Sequence, residues 1–158
     1  MEPRTKRKTW MAAAGAALAT VASAQGVPGP SSTFQSTPPV RVLDTRTGLG
    51  VVDSEIAPIG PAERITLDLT EALAGFDPGP NAVVVNVGVE GGSAQSFVAL
   101  LPFEADAGAT SNVNFDAGQT IANQATVQLG GTNQIDIFNA AGSVDVFIDL
   151  QGVFGNIV

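Results

Sequence analysis

The 158-residue chain contains no histidine, no cysteine and no tyrosine. Its one tryptophan (Trp10), both methionines (Met1, Met11) and both lysines (Lys6, Lys8) fall within the first 24 residues. Past that point the only cations are Arg41, Arg46 and Arg64. A chain without His or Cys cannot build a Ser-His-Asp triad, a thiolate nucleophile or an ordinary zinc or copper site. Without lysine beyond the leader, Schiff-base chemistry is excluded as well. Carboxylates, hydroxyls, three arginines and the backbone remain, and no catalytic set is expected among them.

The first 24 residues are read as a secretory signal peptide. Arg4, Lys6, Arg7 and Lys8 make a basic start, Trp10 to Val21 an Ala-rich apolar stretch, and Ala22-Ser23-Ala24 a small-residue cleavage pattern before Gln25. An apolar stretch of about 12 residues is too short for a bilayer core that needs roughly 20, and no later segment is long or apolar enough to span. The expected location is therefore extracellular, secreted or at the cell surface.

Loss of the leader removes four of the 7 basic and one of the 15 acidic residues, leaving 3 against 14 and a net charge of −11. Such a surface repels nucleic acid and anionic lipid, because it offers no basic patch and no counterion release. With no disulfide available, an exported domain of this length relies on its core alone.

Gln25 to Pro39, rich in Pro, Ser and Gly, reads as an extended or disordered lead-in. From position 40 to 158 the pattern is that of one all-β domain. Apolar residues alternate with polar ones in Arg64 to Thr70, where Ile65, Leu67 and Leu69 share a face. The same period of two sets Val83, Val85, Val87 and Val89 on one side, then Ala125, Val127 and Leu129, then Val144, Val146, Ile148 and Leu150. Further strands are expected at Val40 to Asp44, Phe97 to Leu101, Asn112 to Phe115 and Gln134 to Phe138, about eight in all. Gly91-Gly92, Gly130 to Asn133 and Asn139 to Gly142 supply tight reversals. The spacing predicts a hairpin of Gln134 to Phe138 with Val144 to Leu150, and one or two helical turns over Thr70 to Phe76. Short strands at regular intervals, with no Trp or Tyr girdle, point to an antiparallel β-sandwich of jelly-roll type and not to a membrane barrel.

Four ordered blocks resemble a secreted bacterial β-domain that occurs singly or in tandem in actinobacterial and related exported proteins. They are Pro39 to Gly48 (P-V-R-V-L-D-T-R-T-G), Ala82 to Val87, Ser111 to Asn123 with its S-N-V-N-F and G-Q-T segments, and the closing D-V-x-x-D-x-x-G-x-F of Asp145 to Phe154. The resemblance covers about 115 residues. It implies an exported β-sandwich module, sometimes attached to surface or hydrolytic proteins, with no catalytic residue to carry over.

Asp44-Thr45-Arg46 is the most pointed cluster. It can bind a sugar or an anion, since Arg46 can fork onto a carboxylate. The favoured reading is a structural clamp in which Arg46 or Arg41 neutralises Asp44, Asp145 or Asp149 and ties the first strand to the last. Asp145 and Asp149 share one strand face, but at about 13 Å apart by strand rise they do not face each other across a cleft, as paired glycosidase carboxylates do. Asp77, Asn81, Glu104, Asp106 and Asp116 fall in expected loops and are weak candidates for structural calcium, which takes six to eight oxygens; no other cofactor is expected. The proline-free stretch Ser31 to Thr37 can pair as an edge strand, with Val27 and Phe34 as side chains for pockets on a neighbouring subunit. With no Trp or Tyr past the leader, only phenylalanines such as Phe97, Phe103, Phe115, Phe138 and Phe147 are candidates to stack on a sugar.

Three functions fit: a non-enzymatic secreted or surface structural module, free or self-assembling into a filament through its N-terminal segment; a carbohydrate-binding or adhesive module recognising surface glycan; and, on acid count alone, a carboxylate hydrolase. The leader reading is checked by intact mass of material recovered from the medium or cell surface. The expected product begins at Gln25, and a mass that retains Trp10 and Met11 refutes it.

Overall fold

The alternating rows become strands at the expected places, because each has one face to bury and one to leave in water. The computed structural model describes residues 32–76, 79–107 and 110–155. Their strands are β1 (Thr33–Asp44), β2 (Glu63–Asp68), β3 (Ala82–Glu90), β4 (Ser96–Pro102), β5 (Val113–Phe115), β6 (Ile121–Gln128), β7 (Gln134–Asn139) and β8 (Asp145–Gly155). The leader expected over residues 1–24, and Val27, lie outside the described residues.

Four antiparallel pairs nest inside one another: β1 with β8, β2 with β7, β3 with β6 and β4 with β5. Two further antiparallel pairs, β3 with β8 and β4 with β7, join them into sheets of order β1-β8-β3-β6 and β2-β7-β4-β5. One long folded ribbon whose successive pairs alternate between two sheets is a jelly roll. Between the sheets Val83, Val85, Val87, Val89, Val146, Ile148 and Leu150 meet Leu67, Val98, Leu100, Ile135 and Ile137. Leu67 and the rows of Val83 to Val89 and Val146 to Leu150 are those that the period of two assigned to the inside; Val98, Leu100, Ile135 and Ile137 join them from the further strands. The connections 45–62, 91–95, 116–120 and 140–144 gather at one end of the sandwich, which also holds the C-terminal end of β1 and the start of β8.

Three expectations are corrected. The lead-in does not end at Pro39. Strand β1 starts at Thr33, and Thr33 to Ser36 pair with Gly155 to Gly152 of the same chain. Its polar residues give no alternation because nearly all of this half-strand is exposed, and Pro38-Pro39 sit at a register shift on a sheet edge, where a missing N–H does little harm. The reversal at Asn139 to Ser143 joins no hairpin: β7 and β8 belong to different sheets, and the chain crosses between layers there. Over Thr70 to Phe76 only turns form. Leu73 N–H bonds to the Leu69 carbonyl and Phe76 N–H to that of Leu73, and the chain does not continue as a helix.

The layer crossing is held by Asn139, which has no exposed surface. Its amide nitrogen donates to the carbonyls of Ile59 (3.1 Å), Gly60 (2.9 Å) and Gly142 (2.9 Å), while its oxygen accepts from the Ser96 hydroxyl (2.9 Å). Two loops and the start of β4 thereby share one side chain. Asn139→Ala strands several of these groups, and a loss of about 2 to 4 kcal/mol is expected, seen as a lower urea midpoint with an unchanged slope. An unchanged midpoint would contradict this account of the corner.

Candidate functional site

The clamp forms where β1 ends against the start of β8. Arg41 stands opposite Asp149 in the β1·β8 register. Its guanidinium grips that carboxylate through Nε (2.5 Å) and Nη2 (3.3 Å) and reaches Asp44 through Nη1 (2.8 Å). Arg46, two residues past Asp44, turns back on it. Nε donates to Oδ1 (2.8 Å), Nη2 to Oδ2 (2.7 Å), and its own backbone N–H to Oδ1 (3.1 Å). The remaining Nη1 pairs with Glu90 at the end of β3. Asp44 thus accepts four donors from two arginines and the backbone. Forked pairing of this kind is both stronger and more directional than a single contact.

The two guanidinium groups share a platform. Arg41 Cζ lies 4.8 Å and Arg46 Cζ 4.9 Å from the centroid of the Phe147 ring, close enough for cation–π attraction. The ring in turn lies over Gly88, its cross-strand neighbour on β3, where an added Cβ would fall 2.1 Å from the ring. Glycine at 88 is therefore what lets the aromatic ring lie down on the sheet and carry both cations.

Thr45 points the other way and is buried. Its hydroxyl donates to Asp145 (2.8 Å) and accepts from Val146 N–H (3.1 Å), and its own N–H donates to the Val146 carbonyl (3.0 Å). Of the expected clamp residues, Asp44, Arg46, Arg41 and Asp149 meet in one ion network. Asp145 is held by the Thr45 hydroxyl, with neither arginine on it. Reading the sequence missed Glu90, though it is the one acid on the outward row of β3 and faces Asp145 across the strands.

A second clamp escaped the sequence entirely. Asp136 on β7 is buried, and Arg64 Nη1 (2.9 Å), Thr66 Oγ1 (2.7 Å) and the Glu104 backbone N–H (3.0 Å) all donate to it. It ties edge strand β2 and the β4–β5 loop to the centre of the second sheet. Among the described residues, all three arginines are in ion pairs.

The calcium candidates do not come together. Asn81 precedes β3, and its backbone bonds Phe154 and Leu129. Asp116 takes the Gln95 amide at 3.0 Å, beside Gly118, whose N–H bonds Gly92 just past the other end of β3. A nine-residue strand between them is about 30 Å long. Glu104 and Asp106 are exposed in the β4–β5 loop, and Asp77 lies outside the described residues. No group of three or more acids able to hold a metal occurs among the described residues. Phe34, expected in a neighbour's pocket, stacks on Phe154 of its own β8 at 5.2 Å, with its ring over Gly152.

The Phe rings do not line up as one platform. Phe97 and Phe138 pair at 6.3 Å on the outside of the second sheet, while Phe115 is in the core and Phe147 lies under the arginines. Beside Phe97, an open cleft of about 460 Å³ is lined by Gln95, Ser96, Asn114, Asp116 and Gln119. No helix among the described residues is long and apolar enough to cross a membrane. No protein-family model matches the chain, and no curated protein matches it.

The clamp sets a pH limit. Hydrogen bonds from Arg46 hold the Asp44 carboxyl at about 2, below its ordinary 3.8, against the opposing effect of burial. Arg41 and Arg46 are shifted up, chiefly by Asp149 and Asp44 respectively, and stay cationic. Since the folded value is below the unfolded one, ionised Asp44 stabilises the fold above pH 3.8, and that stabilisation is lost as pH falls towards 2. Its size is on the order of 2 kcal/mol. Asp44→Asn is expected to be less stable at neutral pH and to show a flatter decline through that acid window in thermal unfolding. A variant curve parallel to the parent's would remove Asp44 from the pH response.

Proposed function

We propose that this protein is a non-enzymatic, exported structural module, working in the medium or at the cell surface. The observation that carries the reading is the saturation of its polar cluster. The four donors on Asp44 come from the protein itself, and both arginines are spent on carboxylates of β1, β3 and β8. A side chain engaged in this way braces strands and is not free to bind or transform a ligand. Asp145 and Asp149 point from the same face of one strand, so they do not flank a substrate. The leader-like N-terminus and the resemblance to secreted bacterial β-domains supply the exported setting.

A second reading, recognition of surface glycan, is favoured by the cleft beside Phe97, where three amide side chains and a carboxylate accompany Phe97 and Phe115. The two are separated by measuring Arg46→Ala and Phe97→Ala together. Under the structural reading, Arg46→Ala lowers the melting temperature, by about 1 to 3 kcal/mol in free energy for lost charged hydrogen bonds, and the parent binds nothing on a glycan array. Glycan binding by the parent that Phe97→Ala abolishes would transfer the protein to sugar recognition. Turnover of any polysaccharide in a hydrolysis panel would overturn the non-enzymatic reading.

A further inference from the structure

Each of the two sheets has two edges, and an exposed edge is a template for pairing with another chain unless something blunts it. Three of the four edges here are blunted. Strand β1 carries Pro38-Pro39, Arg41 and two register shifts. Strand β2 has Glu63, Arg64 and Asp68 within six residues. Strand β5 is three residues long.

Strand β6 has none of these devices. Its eight residues, Ile-Ala-Asn-Gln-Ala-Thr-Val-Gln, include no charge and no proline. They pair with β3 in unbroken register from Ile121 opposite Val89 to Gln128 opposite Ala82. Among the described residues, no segment other than β3 bonds the backbone of residues 121–128. The one cross-sheet tie is made by a side chain, with the Asn123 amide donating to the Asn112 carbonyl at 2.8 Å. Ala122, Gln124, Thr126 and Gln128 are exposed on the outer face.

We infer that the free edge of β6 pairs antiparallel with β6 of a second copy of this chain about a two-fold axis, joining two four-stranded sheets into one of eight strands. Charge argues for this occupant. Beyond the leader the chain carries −11, so two copies repel wherever acids face each other, yet no charged residue occurs from Ala117 through Ile135. A two-fold axis brings that neutral stretch against itself. Its amides are self-complementary: Gln128 carries both donors and an acceptor, while Asn123, which donates to Asn112, and Gln124, which donates to Gln151, each keep one N–H and their oxygen. An isologous contact closes at two subunits and leaves the blunted edges outside. The inference adds a partner to the structural-module reading without depending on it, because a glycan-binding module can dimerise in the same way.

Light scattering on the secreted chain over a concentration series tests it, with Thr126→Glu and Thr126→Lys alongside. Thr126 is exposed opposite Val84 on the outer face, so either charge blunts the edge without entering the core. The expected result is a parent of twice the monomer mass, both variants shifted to monomer with melting temperatures near that of the dissociated parent, and slow hydrogen exchange at β6 amides in the parent alone. A parent that stays monomeric at the highest concentration overturns the inference. So does a dimer that survives both substitutions, or one whose β6 amides exchange as fast as in the monomer. Glycan-array and hydrolysis results leave this outcome untouched, so failure of the functional reading and failure of the edge pairing are told apart.

Discussion

The pairing of the first strand with the last organises the molecule. β1 and β8 are about a hundred residues apart in the chain, and their antiparallel contact encloses every other strand pair as a nested loop. Contacts of such separation cost loop-closure entropy before they return any burial, so the two strands need more than a ladder of backbone bonds. The arginine network supplies it. Arg41 spans from β1 to Asp149 on β8, and Arg46 reaches from the end of β1 to Glu90 on β3. The three strands are riveted at the end where β1 runs out and β8 begins.

Packing and charge are coupled at that rivet through one glycine. Gly88 clears the space for Phe147, and Phe147 offers a flat apolar surface to both guanidinium groups. Arginine suits the position because its planar fork can stack on a ring while bonding carboxylates in its own plane. Exposed ion pairs contribute little to stability in isolation. Here Asp44 is buried, accepts four donors and is fixed by the backbone of the residue that pairs with it, so the cluster acts as one unit. The Asp136 cluster does the equivalent for the second sheet, with Arg64 and Thr66 from its edge strand and one N–H from a loop.

The same economy shapes the surface. A chain with three cations past residue 24 has few means of blunting sheet edges by charge, and it places arginine on β1 and β2, the edges that flank the clamps. Strand β5 is kept short. Strand β6 is left with neutral amides and hydroxyls, side chains that water and another strand can satisfy equally well.

Much of the architecture was legible before any coordinates. The rows Val83 to Val89, Ala125 to Leu129 and Val144 to Leu150 were assigned to the inside by their period of two, and they line the core. Arg41, Asp44, Arg46, Asp145 and Asp149 stand out as a clamp because three arginines among fourteen acids must pair; four of the five meet in the ion network, and Asp145 goes to the Thr45 hydroxyl instead. What periodicity could not decide is which strands are neighbours. An apolar face is turned inward alike in a strand hydrogen-bonded alongside and in one packed opposite, so the reversal at Asn139 to Ser143 looked like a hairpin when it is a crossing between layers. The first half of β1 shows no alternation, since a strand exposed on nearly its whole surface needs none; its proline-free run marks an edge strand but not the partner, which is its own β8 and not a neighbouring subunit. Asn139 reads as a turn residue and Asp136 as one position of a strand, and only the approach of segments distant in sequence buries them and turns each into the centre of a hydrogen-bond cluster. Local pattern determined strand, face and turn in this protein. Partner, sheet and the burial of polar groups were decided by tertiary structure, because they depend on contacts between residues dozens of positions apart.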